Sequence, residues 1–181
     1  CPYRCTFCDW GSLTFSKVKR FSLERVFGEI EWAGRNQIET INNASANFGI
    51  FKERDNMIAD KLVETNAKYG YPKMYDPNWA KNSNQDVLDL AIKLKEAGLM
   101  RKFGISMQSL DSITLENIKR SNLKINDFAD VIKEAERNSI SVMIELIVGL
   151  PGETYDSWTT NYCYLMQFEN TTIENYPCSL L

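Results

Sequence analysis

The chain contains no histidine at all. That absence removes Ser-His-Asp and Cys-His nucleophilic catalysis, and with them the commonest zinc ligand, so any chemistry must come from sulfur, carboxylates or a cofactor. A basic run is missing too. Lys and Arg number 21 against 24 Asp and Glu, a net charge of -3, which argues against a nucleic-acid backbone as the main partner. No uninterrupted apolar stretch approaches the ~20 residues of a membrane helix and no signal-like segment opens the sequence, so we expect no membrane partner and a cytoplasmic location. Neither a low-complexity linker nor an internal repeat divides the 181 residues, 44% of them hydrophobic. A domain of this size buries roughly 70% of the surface its unfolded chain exposes, so one core is expected.

Against these absences stand five cysteines, an odd number that suits metal ligands or reactive thiols better than a disulfide framework in a reducing compartment. Three of them open the chain, in Cys1-Pro2-Tyr3-Arg4-Cys5-Thr6-Phe7-Cys8. Iron-sulfur clusters are held by thiolates on short, sharply turning loops, and C-x3-C-x2-C reads as such a loop around three irons of a four-iron cube. One iron is then left without a protein ligand and can hold a small molecule by its polar atoms. A fourth ligand would have to be Cys163 or Cys178. Neither sits in a ligand-spaced pair, and Cys163 falls inside a helical pattern, where it reads as a buried small hydrophobe.

Along the rest of the chain, hydrophobic periodicity alternates between strand and helix. Ser22 caps a helix carrying Leu23, Val26, Phe27, Ile30 and Ala33, with Phe21 placed to staple onto Val26. Gln37 to Ala44 is a weak strand followed by a loop, Ser45 to Gly49. Asp55 caps a helix with Ile58, Leu62 and Val63 that stops at Gly70, and a short extended piece surrounds Lys73 to Tyr75. Asn84 caps a helix with Val87, Ala91 and Leu94. Phe103 to Gln108 is a strand, Asp111 or Ser112 begins a helix through Ile118, and Asn126 begins another through Phe128, Val131, Ile132 and Ala135. Ser139 to Val148 is the strongest strand. Gly149-Leu150-Pro151-Gly152 breaks it, a helix from about Thr154 carries Trp158 and Tyr162, and Thr172 opens a last strand. This alternation predicts an α/β fold, a partial (β/α)6 TIM-like barrel of parallel strands with outer helices, its first strand missing ahead of Cys1. The whole span 1–181 is expected to be one domain cut from a longer polypeptide.

The cysteine triplet with Phe7 before its last member, Asn47-Phe48-Gly49 after the second barrel strand, Gly104-Ile105-Ser106-Met107-Gln108-Ser109 on the fourth and Ile147-Val148-Gly149-Leu150-Pro151-Gly152-Glu153-Thr154 after the fifth occur in one order. In that order the chain resembles the core domain of the radical S-adenosylmethionine superfamily. The resemblance implies that Cys1, Cys5 and Cys8 bind a [4Fe-4S] cluster and that the open iron chelates the amino and carboxylate groups of S-adenosylmethionine. Phe7 would lie beside the adenine, Asn47 at the methionyl end, and Ser106 and Gln108 toward the ribose or carboxylate. Glu145, a lone charge in an apolar run, would receive a ribose hydroxyl, the cofactor ammonium or substrate. Val148 and Gly149 would bring backbone close to the adenine, whereas Glu153 would serve the positive end of the helix that follows.

The reaction implied is reductive cleavage of S-adenosylmethionine to methionine and a 5'-deoxyadenosyl radical, which takes a hydrogen atom from a substrate the sequence does not identify. A reductant such as flavodoxin or ferredoxin would supply the electron. Cys8-Asp9-Trp10-Gly11 and Ala46-Asn47-Phe48-Gly49-Ile50-Phe51 are similar to the subgroup often joined to a cobalamin-binding domain, which would place cobalamin outside this chain and make methyl transfer the reaction. Where that subgroup has Asp-Ala-Asn-Phe-Gly, the first residue here is Ser45, so one carboxylate is absent. Two other classes fit the cysteines: an iron-sulfur electron carrier or redox sensor without radical chemistry, and a zinc-stapled binding module.

Overall fold

The computed structural model describes residues 1–8, 18–81 and 85–179. Its elements follow one another as helix α1 (Leu23–Arg35), strand β1 (Thr40–Phe48), α2 (Lys52–Tyr69), β2 (Met74–Trp79), α3 (Gln85–Glu96), β3 (Lys102–Gln108), α4 (Ser112–Asn117), α5 (Ile125–Arg137), β4 (Ser141–Val148), α6 (Tyr155–Leu165) and β5 (Thr171–Pro177). Every ladder is parallel: β1 pairs with β2, β3 with β4 and β4 with β5. Strands therefore stand in chain order, which is the winding of a barrel and not of a doubly wound sheet with a reversal point. Between β2 and β3 the described residues form no ladder, but the two strands abut, with the Trp79 and Phe103 ring centroids 5.1 Å apart.

Local chemistry explains most boundaries. Ser22 accepts a hydrogen bond from the Arg25 amide and so caps α1, Asp111 does the same for the Thr114 amide at α4, and Thr154 and Ser157 close a reciprocal capping box at α6. Phe21, the expected staple, stays 61% exposed, with the Arg25 guanidinium 4.0 Å from its ring centroid. Asp55 does not cap α2. It lies buried one turn inside, and its carboxylate accepts from the amides of Gly49 and Phe51 at 2.8 and 3.1 Å, tying the end of β1 to the helix start. Helix α5 begins at Ile125 behind Lys124, one residue before the expected Asn126. The expected cap Asn84 and the Asp9-Trp10-Gly11 segment lie outside the described residues.

Strand β1 differs most from the sequence reading. It continues through Ser45 to Phe48, with a register shift between Asn43 and Phe48, where a loop was expected. That shift lets Asn47 and Phe48 both be buried at the strand's end.

The core lies between the sheet and the outer helices. In β3 and β4, Phe103, Ile105, Met107, Val142, Ile144 and Leu146 are buried, as are Leu88, Leu94, Phe128 and Ile132 from the helices. The period-two alternation of a strand then turns Gly104, Ser106, Met143, Glu145 and Ile147 to the opposite, concave face, where they are only half-buried. That concave face is the interior of the half-barrel.

Candidate functional site

The interior holds a cavity of about 640 Å³ whose lining includes Phe7, Cys8, Ser106, Gln108, Glu145 and Tyr176. Ser106 pairs with Glu145, and Glu145 with Glu174, so all three side chains project in one row from β3, β4 and β5. The Ser106 hydroxyl donates to Glu145 Oε2, and the Tyr176 hydroxyl donates to Glu174 Oε2 at 2.7 Å. That hydrogen bond, then burial, then the charges of Glu174 and Glu145 push the Tyr176 phenol up to about 12, so at neutral pH it remains protonated and a donor. The row is thus a pair of adjacent carboxylates, each steadied by one hydroxyl, with acceptor capacity left over.

A second groove, about 1210 Å³, runs between α1 and β1 and is lined by Cys1, Asn47, Phe48 and Asp55 among others. Asn47 is 4% exposed and its side-chain oxygen has no hydrogen-bond donor. Gln108, at the end of β3, takes a left-handed conformation (φ 66°). Val148 and Gly149 sit at the end of β4, beyond the cavity lining. The Val148 carbonyl accepts from the Cys178 amide, and Gly149 (φ 85°) donates its amide to Glu153 Oε2 at 2.8 Å. Glu153 therefore stitches the turn just ahead of the helix, with a 3.4 Å bond from Ser109 as well.

The cysteine loop is anchored where the Thr6 amide meets the Ile118 carbonyl at 3.0 Å, and it turns where the Cys8 amide meets the Cys5 carbonyl at 3.3 Å. Cys5 is buried, while Cys1 and Cys8 are partly exposed, and all three are free thiols. Among the described residues no three ligating side chains are gathered closely enough to hold a single metal ion. The loop's donor set nevertheless suits a cluster: three unpaired sulfurs within eight residues, one facing the interior cavity and one facing the Asn47 groove. Asn47's unpaired oxygen is an acceptor in want of a donor, as the ammonium of an amino-acid cofactor would be. Cys163, expected to be buried, is exposed on α6.

One residue escaped the sequence reading. Arg120, in the segment after α4, is 7% exposed, and its Nη1 lies 3.9 Å from Cys5 Sγ. Its Nη2 donates to the Ser106 carbonyl and its Nε to Asn122 Oδ1 at 2.8 Å. Burial pulls its pKa down, opposed first by Cys5 and more weakly by Tyr3 and Glu145. Tyr3 beside it is pushed up by burial. No periodic pattern marks an arginine in such a segment.

A parallel half-barrel with a three-thiol loop beside the cavity at its concave face defines a cofactor-dependent α/β enzyme core. The chain belongs to the radical SAM superfamily, whose family profile matches residues 1–160. Membership brings the [4Fe-4S] cluster and S-adenosylmethionine with it and gives no support to an electron carrier or a zinc module. Over 170 residues the chain is 39% identical to the cobalamin-dependent radical SAM methyltransferase TokK of Streptomyces tokunonensis, covering 94% of this chain and 25% of that protein. It is 38% identical, with the same coverage, to the 2-(S-pantetheinyl)-carbapenam-3-carboxylate methyltransferase of Streptantibioticus cattleyicolor. The chain thus spans about a quarter of the length of these relatives. In fold it is similar to the radical S-adenosylmethionine methyltransferase TsrM of Kitasatospora setae, solved with cobalamin and a [4Fe-4S] cluster (TM-score 0.78, 16% identity, 98% of this chain and 34% of that one). It is also similar to coproporphyrinogen III oxidase HemN of Escherichia coli (TM-score 0.69, 16% identity, 100% of this chain and 42% of that one). No helix among the described residues is long and apolar enough to cross a membrane.

Proposed function

We propose that this chain is the radical-generating core of a larger methyltransferase that uses cobalamin bound outside these residues. The observation that carries the reading is its likeness, over 94% of its length, to two enzymes whose names specify methyl transfer, one of them cobalamin-dependent. When bound, the cluster and S-adenosylmethionine supply one-electron reductive cleavage of the sulfonium, giving methionine and a 5'-deoxyadenosyl radical.

The chain's own residues bind and orient. Cys1, Cys5 and Cys8 hold the cluster. Phe7 and Cys8 line the interior cavity, so the adenosyl group of a bound cofactor would be met from the concave face. Ser106, Gln108 and Glu145 offer a hydroxyl, an amide and a carboxylate to its ribose from that face, while the unpaired oxygen of Asn47 accepts from the methionyl ammonium. Val148 and Gly149, at the tip of β4, would meet the adenine with backbone. Met143 and Ile147 add half-buried apolar surface to the same cavity and would limit water there. The electron comes from a low-potential donor of the flavodoxin or ferredoxin class, and the enzyme acts in the cytoplasm.

The test is anaerobic reconstitution of the complete polypeptide with iron, sulfide and cobalamin, followed by addition of reductant and S-adenosylmethionine. A brown protein that forms 5'-deoxyadenosine and transfers labelled methyl to an acceptor is the expected result. A clustered enzyme that yields neither 5'-deoxyadenosine nor S-adenosylhomocysteine across a panel of carbapenam-type acceptors would overturn it.

A further inference from the structure

The ladder between β1 and β2 loses register between Asn43 and Phe48, so strand pairing does not fix Asn47, although that residue is buried with its side-chain oxygen unpaired. The turn that follows does the holding. The Phe48 carbonyl accepts from the Ala80 amide at 2.8 Å, and the Ile50 amide folds back onto the Asn47 carbonyl at 3.4 Å. Gly49 adopts φ 97°, where a Cβ would lie 3.0 Å from Val87 Cγ2. Asp55 closes the turn from α2. Its Oδ2 alone accepts from both the Gly49 and the Phe51 amides, at 2.8 and 3.1 Å, and the residue is only 5% exposed. Burying a carboxylate is costly, and packing α2 on the sheet does not need one. What the carboxylate adds is a clamp on two amides just beyond Asn47.

We propose that Asp55 is a positioning residue for S-adenosylmethionine. By clamping the Gly49 and Phe51 amides it holds the Asn47 oxygen in the groove that both residues share with Cys1, where the methionyl ammonium meets an acceptor already in place. The inference rests on the role given to Asn47 under the proposed function. Asp55 itself does not touch the cofactor, so its contribution lies in the placement of one oxygen and not in its charge. An asparagine there keeps a single carbonyl oxygen able to accept both bonds, an alanine keeps none, and the extra methylene of a glutamate pushes the carboxylate off the amides.

The experiment is a double-mutant cycle in the complete reconstituted protein: Asp55→Asn, Asp55→Ala and Asp55→Glu, each made with Asn47 intact and with Asn47→Ala. Affinity for S-adenosylmethionine is read by calorimetric titration of the oxidised, clustered protein, and amide exchange at Gly49 and Phe51 on the same samples without cofactor. Asp55→Ala and Asp55→Glu should quicken exchange and weaken binding about tenfold, whereas Asp55→Asn should stay within about threefold of wild type. With Asn47→Ala in place, the Asp55 substitutions should change affinity by no more than about twofold, because nothing is left to position. Full additivity across the cycle overturns the proposal, as does wild-type affinity in Asp55→Ala despite faster exchange. So does an Asp55→Asn that binds as poorly as Asp55→Ala while exchange stays slow, since the charge would then act directly. If Asp55→Ala takes up no cluster, Asp55→Glu and Asp55→Asn carry the same comparison, and loss of the cluster from those two as well marks a structural role and overturns it. Additivity in a protein that binds the cofactor tightly refutes this proposal alone. A fully clustered wild type that binds no S-adenosylmethionine refutes the radical SAM reading with it.

Discussion

Glu145 and Glu174 face each other across β4 and β5 in direct register, on strands spaced roughly 4.8 Å apart. The Ser106 hydroxyl donates to Glu145 and the Tyr176 hydroxyl to Glu174. Glu145 lines the cavity, and its remaining lone pairs favour a ligand that brings donors, such as a ribose or an ammonium. Glu145→Gln preserves the shape but turns one acceptor oxygen into a donor and removes a charge. Hydrogen bonds to charged groups contribute ~1.5–3 kcal/mol, so 5'-deoxyadenosine formation per cluster should fall by about tenfold to a hundredfold. Iron content and melting temperature should stay at wild-type levels, because the side chain is half-buried on an open face and carries little packing. Unchanged turnover would remove Glu145 from the binding row.

Between elements, α1 packs closely on α2. Gly34 lets the helices approach so closely that a Cβ there would lie 2.4 Å from Thr65 Cγ2. Beside it Glu31 accepts from the Tyr69 hydroxyl at 2.6 Å and meets Lys61 and Lys68, each at 3.1 Å, and Arg35 at 3.3 Å. The bond from Tyr69, then those from Lys61 and Lys68, hold its carboxyl down at about 2, against an ordinary value of 4.5. Because the folded pKa is depressed, the stabilisation is present above pH 4.5 and is lost as pH falls toward 2. Amide exchange in α1 should therefore quicken over that window, and Glu31→Gln should abolish this component of the pH dependence. An identical acid profile in the variant would show that the hub contributes nothing.

The same elements show how far the chain's text can be read. Strands β3 and β4 were legible because buried and half-buried positions alternate between Phe103 and Met107 and between Val142 and Leu146. The extension of β1 was not, because Asn42 to Asn47 is largely polar and its pairing shifts register there. The motif residues Phe7, Ser106, Gln108 and Glu145 do come together around one cavity. Arg120 was invisible because its burial against Cys5 depends on a contact far apart in sequence, and Glu174 and Tyr176 because Thr171 to Pro177 offers little apolar alternation.

At the scale of the whole molecule, the chemistry depends on how many sulfurs hold the cluster. Three leave an iron open for S-adenosylmethionine, whereas four would close it and make an electron carrier. The fold separates the candidates. Cys5 is buried against Arg120 and Cys8 lines the interior cavity, whereas Cys163 is exposed on α6 and Cys178 follows β5. In the complete protein, Cys163→Ala and Cys178→Ala should keep full iron content, the broad visible absorbance of the cluster and a change in the electron paramagnetic resonance signal when S-adenosylmethionine is added. Cys1→Ala, Cys5→Ala and Cys8→Ala should each lose the absorbance. Burial makes Cys5 the most sensitive, since truncation there leaves a void in the core and removes the sulfur that accepts from Arg120 Nη1. Cys5→Ala should accordingly lower the melting temperature more than Cys8→Ala does in the metal-free protein. Loss of the cluster from Cys163→Ala or Cys178→Ala would instead place a fourth sulfur on the cube and leave no iron for the cofactor.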